Sequence, residues 1–317
     1  IQSIEQIPGL ISDACGGLPS TLGFEWDVIP VNIFNFFCDI FSDQNCVDGS
    51  PYILKVRAIK SDWEVMQLER TGGLFKKTFE YAKTVIRPGM TEMEFAGILE
   101  AFAGNLSPGA FVKVRDIHTE GYPGHILSGK SGGMVGLLDS PASGEGTSAA
   151  FPCGAGSKHL AANEPIMIDF AFELNGYHMD VTRMFSIGDM PDKAMKACQG
   201  AIDIHDAVLD MVKPGVTMDA LFRQSVSTAE LLGYAVPYLG PPGYKVSFIG
   251  HGIGLELVER PIIARNKKDR LEPGMTFALE PKMVFENEFA AGIESVFLVT
   301  DSGHRIVSKV PEEVFIC

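Results

Sequence analysis

Apolar positions along this chain alternate between a helical period near 3.6 residues and a strand period of two, and the order of the alternation repeats. A charged amphipathic run begins at Asp62-Trp63-Glu64 and continues to Val85, where Arg87-Pro88-Gly89-Met90-Thr91 interrupts it. A second helical stretch then covers Glu92 to Ala103. The same events return later: a run from Asp192 to Val212, the turn Lys213-Pro214-Gly215-Val216-Thr217, and a helical stretch from Met218 to Leu232. Each copy is followed by a predicted β hairpin. In the first, Ile166-Met167-Ile168-Asp169-Phe170 turns at Asn175-Gly176 into Tyr177 to Ile187; in the second, Met275 to Phe285 turns into Ala291 to Thr300. Helix, helix and hairpin in duplicate predict an α+β domain with pseudo-twofold halves and one site at the shared centre. Residues 1 to about 60 differ: they are punctuated by Gly, Ser and Pro, and only the apolar segment Val28 to Phe41 has a helical face, through Ile33, Phe36, Phe37 and Phe41.

The 317 residues suit two domains or one large one, and a net charge of −14 lacks the clustered positive charge that nucleic acid or an anionic membrane rewards. With 46% hydrophobic and 21% charged residues the composition is that of a globular chain, and no apolar run reaches the length of a membrane span. No basic segment followed by an apolar core opens the sequence, and Cys15, Cys38, Cys46, Cys153, Cys198 and Cys317 are dispersed. Free thiols and a cytoplasmic location are expected.

The candidate chemistry lies in the hairpins. A two-residue loop at Asn175-Gly176 makes Thr182 the cross-strand partner of Asp169 and Asp180 its diagonal neighbour on the same face. In the second hairpin Glu280 and Glu294 interrupt apolar strands, and a four-residue loop sets them nearly opposite each other. Four acids brought together in apolar surroundings repel and raise one another's pKa values unless cations neutralise them, and two divalent ions balance four charges. His251, flanked by glycines in Gly250-His251-Gly252-Ile253-Gly254, adds a nitrogen donor that backbone can approach closely.

Ile168-Asp169-Phe170, Asp180-Val181-Thr182-Arg183, Gly250-His251-Gly252-Ile253-Gly254, Leu279-Glu280-Pro281 and Gly292-Ile293-Glu294 stand in an order and spacing that resemble the creatinase/prolidase/methionine aminopeptidase family. The likeness favours its Xaa-Pro aminopeptidase/prolidase branch and covers roughly Asp62 to the C terminus. It implies the pita-bread fold over residues 61–317, with 1–60 as a linker and the remnant of a creatinase-like amino-terminal domain, most of which is absent. It also implies a homodimer. Asp180 and Glu294 would bridge two divalent ions, Asp169 would chelate one, His251 and Glu280 would complete the other, and Thr182 would stand behind them. Mn or Co is expected; Fe and Zn suit the same donors.

Two departures qualify the activity. Cys153, after Pro152, and Val258, beyond Gly254, stand at substrate-facing positions where the branch carries imidazoles. His125, in Gly121-Tyr122-Pro123-Gly124-His125, is the candidate replacement, with His118 nearby. His159, His178, His205 and His304 match no motif. The Gly/Ser-rich stretch Lys130 to Thr147 reads as an inserted loop at the site mouth, either a surface loop or a substrate lid. The expected function is dinuclear, metal-dependent hydrolysis of a small peptide or related amide, Xaa-Pro aminopeptidase- or prolidase-like, with Glu280 shuttling the proton and turnover reduced for want of the two imidazoles. A creatinase-like C–N hydrolase that needs no metal leaves the four acids and His251 without a purpose. A catalytically silent pita-bread module that binds a peptide or protein accounts for the missing imidazoles but not for the intact ligand set.

Overall fold

The computed structural model describes residues 2–107, 112–115, 124–135 and 140–317. The chain divides into two compact units, one running to Arg57 and including Arg115, the other beginning at Ala58. In the first, α1 (Ile7–Cys15) precedes β1 (Thr21–Phe24), α2 (Val31–Ile40), β2 (Asn45–Asp48) and the start of α3 (Ser50–Ala58). β1 and β2 run parallel. The predicted apolar face of α2 packs only in part: Phe37 meets Phe24 with ring centroids 5.9 Å apart and Phe41 is buried, but Ile33 and Phe36 are exposed, and Phe34, outside that face, meets Phe24 and Trp26 edge-on at 5.6 and 5.5 Å. The Arg115 guanidinium pairs with Glu25 and Asp27 at 2.8 and 2.7 Å.

The second unit carries the repeated pattern. Its first half holds α4 (Asp62–Val85), α5 (Glu92–Leu106), β3 (His125–Ser128), β4 (Ile166–Leu174) and β5 (Tyr177–Ser186). The second half follows with α6 (Asp192–Leu209), α7 (Met218–Leu231), β6 (Phe248–Gly252), β7 (Glu259–Ala264), β8 (Thr276–Leu279), β9 (Lys282–Phe285), β10 (Phe289–Gly292) and β11 (Ser295–Val299), and the chain closes with β12 (His304–Ile306) and β13 (Phe315–Ile316). Ser61 and Thr91 start α4 and α5 with reciprocal capping boxes to Glu64 and Glu94, which is why both helices begin where the charge pattern changes. The sheets are ordered β13-β5-β4-β3 and β12-β11-β8-β6-β7. Leu68, Phe75, Phe79 and Leu99 from the first helix pair pack on Ile166, Ile168 and Phe185, in a core that also takes Ile253, Ala278 and Val296 from the second half. Among the described residues no helix is long and apolar enough to cross a membrane.

The first hairpin has the predicted register: Leu174 faces Tyr177 across Asn175-Gly176, both at positive φ, and Asp169 faces Thr182. The second turns through three residues, Glu286 to Glu288, rather than four, with Asn287 at φ 59° between the paired Phe285 and Phe289. Its ladder breaks between Lys282↔Gly292 and Leu279↔Ser295. In the gap the Glu280 N–H donates to Ile249 and the Glu294 N–H to Thr182. Among the described residues only the Ile293 N–H, donating to the Pro281 carbonyl at 3.3 Å, spans the gap.

Over its described residues the Lys130 to Thr147 stretch is mostly buried, with Lys130, Glu145 and Thr147 exposed. Gly129–Gly133 forms a buried 3₁₀ turn, and Ala142 and Ser143 are buried as well. A Cβ on Gly133 would come within 2.5 Å of the Glu288 nitrogen, and one on Gly132 within 2.9 Å of the Ala290 nitrogen. The glycines there serve close packing against β10, not flexibility.

Arg183 joins the halves. Its guanidinium is buried and donates to the carbonyls of Thr182, Glu294, Val310 and Pro311 and to the Ser295 hydroxyl, at 2.6–2.9 Å. Burial pulls its pKa down to about 10, which leaves it a cation at neutral pH. Arg183→Met is therefore expected to destabilise the fold by about 3 kcal/mol, because several buried carbonyls lose their donor. Arg183→Lys should recover only a minor part, since an ammonium carries fewer donors in no fixed plane. Chemical denaturation of the three proteins checks this; equal midpoints would show that the clamp carries no stability.

Candidate metal centre

β4 and β5 deliver Asp169 and Asp180, the gap in the second hairpin delivers Glu280 and Glu294, and β6 delivers His251. His251 needs the glycines beside it. A Cβ on Gly250 would lie 2.3 Å from the Ala278 carbonyl oxygen, and one on Gly252 2.2 Å from that of Arg260, so only glycine lets β8 and β7 close on the histidine. Its Nδ1 lies 3.0 Å from the Gly252 carbonyl, which can only accept, so Nδ1 carries the proton. The Nε2 lone pair then faces oxygens of Glu280, Glu294 and Asp180 at 3.6, 3.8 and 3.9 Å. Three carboxylates gathered round a lone pair repel one another and favour a cation between them. Among the described residues Asp180, His251 and Glu294 form a buried group able to hold a metal ion.

One residue at the centre has no part in the expected ligand set. Lys282, fully buried, reaches into the cluster, its ammonium 2.8 Å from Asp169, 2.9 Å from Glu280 and 3.1 Å from Glu294. The signal was in the sequence: Lys282 is two residues beyond Glu280 in an otherwise apolar run, which puts both on one face of an extended segment. Thr182 stands between the halves, its hydroxyl 2.8 Å from Asp169 and 3.0 Å from Glu294.

The electrostatics follow from burial. Removal from water and then the Glu294 charge drive the Asp180 carboxyl well above the usual carboxylate range. Burial likewise pushes Glu294 up to about 8, although Lys282 opposes it. For Asp169 burial acts upward too, but Lys282 and His125 outweigh it and the net shift is downward.

His125 lies opposite Asp169 in the β3–β4 register, at the Asp169 end of the cluster, and burial holds its imidazole below the ordinary value despite Asp169. The neutral ring has a single N–H, and the Ala142 backbone engages it. Cys153 is buried on the turn beside Gly154, where an added Cβ would sit 3.5 Å from the His125 ring. Val258 is 41% exposed, just before β7. His118 lies outside the described residues. His178, which matches no motif, is a buried strut: its Nδ1–H donates to the Gly254 carbonyl at 3.0 Å and its Nε2 accepts from the Lys113 N–H at 2.9 Å, which pins the segment following His251.

The profile of metallopeptidase family M24 matches residues 67–301, a span that contains all five ligand candidates. The chain belongs to that family. This M24 chain is 26% identical over 299 residues to the uncharacterized peptidase YqhT of Bacillus subtilis (strain 168), covering 93% of this chain and 74% of that protein. With the probable dipeptidase PepE of Mycobacterium tuberculosis (H37Rv) it shares 27% over 269 residues, 83% of this chain but 61% of that one, so it spans less than two thirds of that relative. Its fold matches the crystal structure of X-Pro aminopeptidase from Thermotoga maritima MSB8 with a TM-score of 0.83 at 21% identity, covering 100% of this chain and 81% of that one. It matches the prolidase from Pyrococcus horikoshii OT3 with a TM-score of 0.78 at 20% identity, covering 99% and 79%. The pita-bread architecture that the family resemblance implied is thereby shown.

The raised acids give the M24 centre a pH signature. A carboxyl whose folded pKa exceeds its unfolded value stabilises the fold when protonated, and that contribution is lost as pH rises from the unfolded to the folded value. With Glu294 near 8 and Asp180 also raised, chelator-treated protein is expected to lose thermal stability steadily between about pH 5 and pH 8. Added Mn(II) should restore it at pH 8. Melting curves that stay flat over this range would contradict the assigned burial of charge.

Proposed function

We propose that this chain hydrolyses peptide bonds with the help of a divalent metal, acting on small peptides in the manner of an Xaa-Pro aminopeptidase or dipeptidase. The observation that carries the reading is the His251 lone pair aimed at three carboxylate oxygens while its other nitrogen is locked to Gly252. That donor set of one imidazole and several carboxylates suits Mn or Co and accepts Fe or Zn. When bound, the ion supplies Lewis acidity toward water and toward the scissile carbonyl.

The chain's own residues supply the rest. Glu280, a carboxylate of the cluster 3.6 Å from His251, is the candidate to take the proton of the attacking water and pass it to the leaving amine. Thr182 orients Asp169 and Glu294, and Lys282 holds Asp169, Glu280 and Glu294 at fixed spacing. Cys153 and Val258 provide a weak donor and none where stabilisation of the developing oxyanion is needed, so turnover is slow. His125 can stand in only by releasing its bond to Ala142. The same two positions favour a second reading, a silent module that binds peptide without cleaving it.

Incubation of the Mn- or Co-loaded protein with a panel of Xaa-Pro and other di- and tripeptides separates the two. Slow cleavage is expected, abolished in Asp180→Asn. Replacing Cys153 and Val258 together by His should raise kcat at least about tenfold with little change in metal affinity. Absence of cleavage from both the native chain and the double variant, with metal bound, would replace the hydrolase by the binding module. Fast native cleavage that His125→Ala leaves unchanged would refute the account of these positions.

A further inference from the structure

We infer that the Lys282 ammonium is a built-in cation standing in place of one of two divalent ions, so that the centre takes a single metal ion on its His251 side. The inference rests on the reading of the acid cluster as a metal site and changes its stoichiometry.

The position of Lys282 is designed into the strands. Lys282 pairs with Gly292 across β9 and β10, and a Cβ on Gly292 would lie 2.6 Å from Lys282 Cγ. The lysine stem therefore crosses the glycine, and any larger residue at 292 would displace it. Its head finds three acceptors for three N–H donors: Asp169 Oδ2, Glu280 Oε2 and Glu294 Oε2. A buried ammonium with all its protons placed is a stable arrangement, not a surface chain folded inward.

This arrangement divides the acids atom by atom. Asp169 gives Oδ2 to Lys282 and Oδ1 to the Thr182 hydroxyl, so both its oxygens are engaged. Glu280 and Glu294 each turn Oε2 to Lys282 and Oε1 to the His251 side. Glu294 Oε1 is buried with no hydrogen-bond donor, an atom that calls for a cation. With Asp180 Oδ2 these oxygens stand 3.6–3.9 Å from His251 Nε2. The donor atoms of Asp180, His251 and Glu294 all lie within 4.8 Å of one another, and donors of a four-coordinate ion with bonds near 2.1 Å lie roughly 3.4 Å apart, so contraction of this trio, with Glu280 Oε1 closing from 3.6 Å, seats one ion. Charge agrees: the ammonium with one divalent ion leaves the four carboxylates a single net negative charge, whereas two ions beside the ammonium would make the buried pocket net positive.

The test is the number of ions per chain in excess Mn(II), by native mass spectrometry, with electron paramagnetic resonance to distinguish an isolated from a spin-coupled ion. The native chain should hold one ion with an isolated signal. Lys282→Met, which keeps the bulk and removes the charge, should rise to two with a coupled signal. Asp169→Asn should keep its one ion, because Asp169 serves the ammonium and not the metal, and this variant keeps the question answerable if Lys282→Met does not fold. Two ions in the native chain, loss of the ion from Asp169→Asn, or a folded Lys282→Met still holding one ion would each overturn the inference while leaving the metal site standing. No ion in the native chain would instead overturn the metal reading itself.

Discussion

Everything at the centre depends on one exchange between the halves: Thr182 and Glu294 each donate a backbone N–H to the other's carbonyl, at 3.3 and 3.0 Å. Apart, the two hairpins would present their acids as ordinary solvated strand residues. Joined there, they hold four carboxylates close enough to repel strongly, and the repulsion is borne by groups that are not carboxylates. Lys282 meets three of the four directly, while Arg183, the residue after Thr182, locks the junction itself by sending its guanidinium across to the Glu294 carbonyl and to the segment at Val310 and Pro311. The charged site is thus held by an ion pair within it and by backbone hydrogen bonds one residue away.

Much of this was legible in the sequence, for identifiable reasons. The Asn175-Gly176 turn admits one register, so the Asp169–Thr182 pairing followed from counting, and the Pro-Gly-Thr punctuation marked both helix pairs because Thr91 and Thr217 are true caps. What failed was any inference that took composition for exposure. The Gly/Ser-rich stretch after Ser128 resembles a solvent loop, yet Gly132 and Gly133 stand where Ala290 and Glu288 approach too closely for side chains. Lys282 escaped notice because a lysine is expected at a surface, and only its parity with Glu280 betrays where it points. His178 was invisible for a different cause: a strut to two backbone groups distant in sequence leaves no local motif.

The histidines also show how one residue type is sorted by its backbone partners. His251 spends its proton on Gly252 and keeps a lone pair for a cation. His178 spends its proton on Gly254 and its lone pair on Lys113, so no valence remains for chemistry. His125 stands beside the acids, and the Ala142 backbone engages its N–H. Proximity to the centre is therefore a poorer guide to role than the nitrogen left over after the backbone has been satisfied.

An ammonium carried by the chain differs from a second ion in how it couples to folding. Metal-ligand clusters whose cations all come from solution make loading a part of folding, because the acids have no compensation until the ions arrive. Here the first cation arrives with β9, held over Gly292 by the strand pairing that forms the hairpin, and it compensates Asp169, Glu280 and Glu294 before any ion binds. The acid that Lys282 does not hold is Asp180, whose carboxyl is raised well above its usual range by burial and by Glu294. On the single-ion reading, a divalent ion at the His251 side would neutralise that residue and Glu294 Oε1 together. Loading would then complete a site in which the ammonium already offsets one of four negative charges, without the second Lewis acid that a two-ion centre would bring to the carbonyl.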